Sequence, residues 1–142
     1  MAAWVVWSAI ALRERPANSN RPLFSGAHVE PAALAVLDRA CRDCHSEATR
    51  YPWYSYVAPL SRLIFRDIEV GRERVNFSRW EEYPVLRRQR ALTGIANQIQ
   101  DRLMPLEIYV RFHPEAKLSD AEIAVVFDWA QRERERLILE SR

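Results

Sequence analysis

Residues 41–45 read Cys-Arg-Asp-Cys-His, and Cys41 and Cys44 are the chain's two cysteines. On a helical turn, positions i and i+3 share one face. The two sulfurs therefore point the same way, with an imidazole directly after them. This is the pattern of covalent haem c attachment. Each thiol adds across one vinyl group of the porphyrin, and His45 reaches under the ring to bind iron as the proximal ligand. Three other uses of the pair stay open. A dithiol redox pair wants βαβ surroundings, and no strand pattern is present here. A zinc site needs four ligands, and only His28, His45 and His113 are available, at no recognisable zinc spacing. A structural disulfide is the third.

A buried porphyrin changes what a chain of 142 residues can fold into. A small helical domain has little core of its own, and a flat apolar cofactor supplies a centre that short helices and irregular loops can wrap. Length suggests one domain. With 49% hydrophobic and 28% charged residues and only three glycines, the chain is not of the disordered class. Its 21 basic and 19 acidic residues leave a formal charge of +2. That balance speaks against nucleic acid as a partner, because phosphate binding needs a net basic face.

Residues 2–12 are apolar (Ala-Ala-Trp-Val-Val-Trp-Ser-Ala-Ile-Ala-Leu) and end at Arg13. A bilayer span takes about twenty residues, and the basic start of a signal peptide is missing. Residues 1–12 are read as the remnant of a membrane anchor or signal, the alternative being an interfacial or core helix. Trp4 and Trp7 suit a membrane interface. Residues 13–29, rich in Pro, Asn and Ser around positions 16–26, read as a linker. The haem-binding domain is then residues 30–142.

Pro31 suits the first position of a helix, whose stripe through Leu34 and Leu37 delivers Cys41. Residues 46–59 are too rich in proline for a helix. Their aromatics, Trp53 and Tyr56 among them, either pack on the porphyrin and reach its propionates or form a plain core cluster. A carbonyl of Pro52 or Pro59 is the expected acceptor for Nδ1–H of His45. A short amphipathic helix over 61–70 is expected to stop near Gly71. Its Arg62 and Arg66 read as a solvated face rather than propionate partners. Asn76 or Ser78 can cap the next segment, where Trp80 faces haem or core. Residues 86–103 form a helix with Leu92, Ile95, Ala96, Ile99 and Leu103 on one face. Ser119 and Glu122 form a capping box for the last helix. Ile123, Val126, Phe127 and Ala130 are its apolar stripe, followed by an exposed charged extension from Gln131. Leu137, Ile138 and Leu139 then dock on the body or on a partner.

Met104 precedes a proline, which pushes it out of helical geometry. It is the chain's one methionine besides Met1. Methionine opposite histidine is a haem c pair that raises the reduction potential. His113, also before a proline, is the rival sixth ligand. An open sixth position is the third possibility, and a core gap-filling role is the other reading of Met104.

The order of helix, C-x-x-C-H, irregular loop, helices, Met-Pro and final helix resembles class I cytochromes c, with 59 residues from His45 to Met104. The detail more closely resembles the bacterial haem-binding domain proteins with a single C-x-x-C-H site. The stretches that carry this are Cys41-Arg-Asp-Cys-His-Ser46, Tyr51-Pro-Trp-Tyr-Ser55 with Val57-Ala-Pro59, Asp67 to Gly71-Arg72, Val75-Asn-Phe-Ser-Arg-Trp80, Met104-Pro105, and Tyr109 through His113-Pro114 to Leu118-Ser119. They cover residues 22–129. The resemblance implies a haem c domain in the periplasm behind an N-terminal membrane segment.

The expectation is thus an all-α, cytochrome c-like domain around one covalent haem c. It would transfer single electrons to and from a redox partner protein, at the periplasmic side of the inner membrane. Cys41, Cys44 and His45 attach the haem, Met104 is the distal metal ligand, and Trp53, Tyr56 and Trp80 contact the ring. No acid–base constellation suggests an enzyme. Two other classes stay open: a haem-based sensor of small ligands, and a relay or structural subunit of a membrane complex.

Overall fold

The computed structural model describes residues 15–142. Its regular structure is six α-helices and three short 3-10 turns, with no strand among the described residues. The domain is all-α. Pro31 opens α1 (Pro31–Ala40), which buries Ala33, Val36, Leu37 and Ala40. Cys41 ends α1 and starts the single turn of α2 (Arg42–His45).

Helix α3 (Leu60–Arg74) extends past the expected stop, with Gly71 buried inside it. Glycine costs helix stability, but here it permits a close approach described below. Asn76 caps the 3-10 turn Phe77–Glu82 by accepting from Ser78 N–H at 3.0 Å.

Helix α4 (Val85–Gln100) buries Leu92, Ala96 and Ile99. It ends three residues earlier than the periodicity suggested. Arg102 takes a positive φ of 55°, Leu103 N–H bonds to Gln98 O, and Arg102 N–H to Ile99 O. This is a Schellman ending, with arginine where glycine is usual. It leaves Leu103 exposed rather than on the buried stripe and reverses the chain just before Met104. Helix α5 (Glu107–Phe112) follows, then α6 (Asp120–Glu140), which opens with the Ser119–Glu122 capping box.

Helices α4 and α6 pack along each other, and α1 packs on α6. Between them lies an aromatic core. Phe24 stacks on Phe77 with ring centres 4.3 Å apart and meets Trp80 and Trp129 edge-on at 5.2 Å each. Residues 15–29 are therefore no free linker: Phe24 is buried in the core, and Trp129 Nε1 donates to His28 O at 2.8 Å. The extension after Gln131 is not wholly solvated either. Leu137 is buried, and so is Glu133, which Arg136 pairs with at 2.6 Å. Leu139 stays exposed. No helix among the described residues is long and apolar enough to cross a membrane. The remnant read over residues 1–12 lies outside the described residues.

Candidate functional site

The turn 41–45 is closed by His45 N–H bonding to Cys41 O at 3.0 Å. Cys41, Cys44 and His45 therefore reach the same cleft, which has a volume of about 760 Å³. Ligand sites run from roughly 300 to 1,000 Å³. The cleft is lined by two stretches of chain. One comprises residues of α1, α2 and α3 with Val75 and Phe77. The other comprises Arg87, Arg90, Ala91, Gly94, Ile95, Gln98 and Ile99 of α4, then Met104, Pro105, Leu106 and Tyr109.

The first wall fixes the imidazole. Nδ1 of His45 lies 3.0 Å from Gly71 O and 3.1 Å from Val75 O. Carbonyls only accept, so Nδ1 carries the proton and Nε2 keeps its lone pair. Gly71 O, which also accepts Val75 N–H at 3.0 Å, and Val75 O stand at the C-terminal end of α3, where the helix dipole places partial negative charge. They replace the Pro52 or Pro59 carbonyl expected from the sequence. A carbonyl on the far nitrogen orients a ligating histidine and raises its basicity. Burial holds the His45 pKa below its ordinary value, against the two backbone bonds that raise it, so the ring is neutral. Phe77 stacks beside it at 5.6 Å.

Gly71 makes this contact possible. A Cβ there would fall 2.6 Å from the Cys44 carbonyl oxygen and 3.1 Å from its carbon. Only a bare backbone lets α3 press this close to the cysteine turn. The turn is clamped on its other side as well. Ser46 Oγ donates to Arg42 O at 2.8 Å, Thr49 Oγ1 to Asp43 O at 2.7 Å, and Arg72 Nε to Ser46 O at 2.8 Å.

The thiols are not joined to one another. Burial pushes Cys41 up to about 12, helped by the charge of Cys44. It pushes Cys44 to about 12 too, helped by Asp43 and Asp67. Both are neutral thiols, whereas metal ligation by cysteine takes the thiolate. Among the described residues no group of three or more His, Cys, Asp or Glu is placed to hold a metal ion. An apolar cleft with two thiols and a neutral, oriented imidazole on one turn fits a porphyrin with its iron.

Comparison with known proteins agrees. Residues 3–132 match the family model described as a haem-binding domain. The chain belongs to this haem-binding domain family. No curated protein and no solved structure matches it.

Within this haem-binding domain, Met104 is half-buried and lines the cleft. His113 is not among the lining residues. Its Nε2 meets Tyr54 Oη at 2.5 Å, its Nδ1 meets Glu115 Oε1 at 3.1 Å, and its ring stacks on Tyr109 at 4.4 Å. Three aromatics expected on the ring stand elsewhere. Trp53 is 78% exposed and Tyr56 40% exposed, on a 3-10 turn away from the cleft. Trp80 is fully buried, because Phe24 and Tyr83 enclose it in the aromatic core. Arg62 and Arg66 are exposed and are not among the residues that line the cleft.

Sequence reasoning passed over Gly71 as a helix stop and did not single out Asp43 or Tyr109. Asp43 Oδ1 accepts from Arg50 N–H and Nε, each at 3.0 Å, and Oδ2 accepts from Tyr109 Oη at 2.8 Å. Asp43 lies inside the cysteine turn, and Tyr109 lies on the second wall, so this bond ties one wall to the other. The α4 pattern was legible: Ala91, Gly94 and Gln98 recur at helical spacing, small or uncharged, on a face that also carries Ile95.

Proposed function

We propose that this domain is a mono-haem c-type cytochrome that carries single electrons outside the cytoplasmic membrane. In this reading, haem is bonded to Cys41 and Cys44, with His45 as the proximal ligand and Met104 as the distal one. The observation that carries it is the one-turn convergence of both thiols and a carbonyl-oriented imidazole on a porphyrin-sized cleft. The haem supplies a reversible one-electron change at iron, ferric to ferrous on accepting an electron from a reduced partner. The chain's own residues do the rest. Gly71 and Val75 hold the imidazole, Asp43 and Tyr109 join the walls, and Leu37, Val75, Phe77, Ile95 and Ile99 keep the cleft apolar. The thiol additions leave no free cysteine. Met104 is favoured over His113 because it lines the cleft, while both ring nitrogens of His113 are engaged. A carrier role, a redox partner protein, and a periplasmic site at the inner membrane belong to the same proposal.

The test is intact-mass measurement after expression with haem c maturation. The proposal expects the chain plus one haem, retained in acidified acetone and lost in the Cys41→Ser/Cys44→Ser double variant. Rapid-mixing spectra should then show one-electron reduction and reoxidation. A bare-chain mass, or haem that washes out in acid, contradicts covalent attachment.

A further inference from the structure

One end of the cleft is lined by Arg74 of α3 and by Arg87 and Arg90 of α4. Several other arginines of the domain meet carboxylates, among them Arg39 with Glu122, Arg50 with Asp43 and Arg132 with Glu30. These three do not. Among the described residues the side chains of Arg74 and Arg90 make no hydrogen bond or ion pair. Arg87 reaches the Glu73 carbonyl at 3.4 Å and lies over the Tyr83 ring at 4.0 Å. The Glu73 contact places it beside the end of α3 that bears Arg74. The acidic side chain in the cleft lining is Asp67, seven residues before Arg74. At 1.5 Å per residue that separates them by about 10 Å along the helix.

The placement also runs against helix electrostatics. Helix α4 starts without a side-chain cap and with no acidic residue in its first turn. Its first N–H groups are unmet, and Arg87 adds a cation to the positive end of the dipole. An anion there would answer both the orphan N–H groups and the guanidinium groups. Arginine forks match carboxylates in bidentate geometry.

We propose that Arg74, Arg87 and Arg90 form the carboxylate-holding edge of the cleft and take the two propionates of the bound haem. This rests on the haem reading above and adds a role for residues that reading does not use. Three cations beside the propionates favour the less positive, ferrous state of the iron. Removing any one of them therefore lowers the reduction potential.

The test uses the matured holoprotein and measures haem per chain and reduction potential together. The variants are Arg74→Gln, Arg87→Gln, Arg90→Gln, their triple combination and the corresponding lysine variants. Arg66→Gln is the control, because it removes the same charge from α3 at a residue off the cleft. The expected result is one haem per chain throughout, a stepwise fall in potential that is largest in the triple glutamine variant, and potentials largely kept by lysine. Glutamine variants that retain haem and shift no more than Arg66→Gln overturn the proposal. Wild-type protein without haem overturns the reading beneath it instead.

Discussion

On the wall built from α1 to Phe77, backbone meets backbone. Gly71 presses on Cys44, the end of α3 holds His45, and Ser46, Thr49 and Arg72 lock the cysteine turn from outside. On the wall built from α4 to Tyr109, the same cleft is bounded by a helix face with open space above Gly94. There Met104 hangs from a single backbone bond to Gln98 O at 3.2 Å. The difference follows from what each wall does in the proposed cytochrome. Covalent attachment and proximal ligation need fixed atoms before the cofactor arrives. The distal wall has only to close on the ring afterwards, and it draws its support from α6 behind it.

The two glycines break this comparison most directly. Gly71→Ala puts a methyl group against the Cys44 backbone, which cannot yield without moving the cysteine turn. Overpacking of this kind costs about 1–3 kcal/mol, and urea unfolding should show it together with reduced haem yield. Gly94→Ala meets nothing within 4 Å. Its unfolding free energy should stay unchanged or rise by up to about 1 kcal/mol through helix propensity.

Tyr109→Phe tests the tie between the walls. It leaves Asp43 with Arg50 but without the Tyr109 hydroxyl. A loss of about 1.5 kcal/mol is expected in the same unfolding measurement, the scale of a hydrogen bond to a charged group. No loss would mean that the walls are held together through the core alone.

The smallest effect concerns acid. Glu47, next to the cysteine turn, is anchored to the 76–79 segment. Its backbone N–H bonds to Ser78 Oγ at 2.9 Å, and its carboxylate accepts from Asn76 and Arg79. Burial alone would push its pKa up. Hydrogen bonds and the Arg79 charge outweigh that and hold it below the ordinary 4.5. A lowered folded pKa means stability that is present above the ordinary value and lost as pH falls through the folded one. Melting temperature should therefore decline below about pH 4.5, and Glu47→Gln should flatten that decline.

Much of the first wall was legible in the sequence because its chemistry is local. Cys41, Cys44 and His45 sit on one turn, and the Ser119–Glu122 box and the stripe through Val126 and Ala130 obey helical spacing alone. What sequence missed depends on distance along the chain. The acceptors for His45 lie 26 and 30 residues away, and Tyr109, the partner of Asp43 on the other wall, lies 66 away. The aromatics misled because burial is what they want, and apolar contact suits Trp80 in a core as well as against a ring. Phe24 made a proline-rich stretch into part of that core.

The central claim is the pairing of His45 with Met104 across one covalently held haem. An optical spectrum of the matured protein in both oxidation states tests it, run on wild type, Met104→Ala and His113→Ala. The account predicts a long-wavelength sulfur-to-iron charge-transfer band in ferric wild type and in His113→Ala, absent in Met104→Ala. A wild-type spectrum without that band contradicts it. Low-spin character lost only in His113→Ala would give a bis-histidine haem, and a high-spin spectrum that shifts with carbon monoxide would give a ligand-binding one.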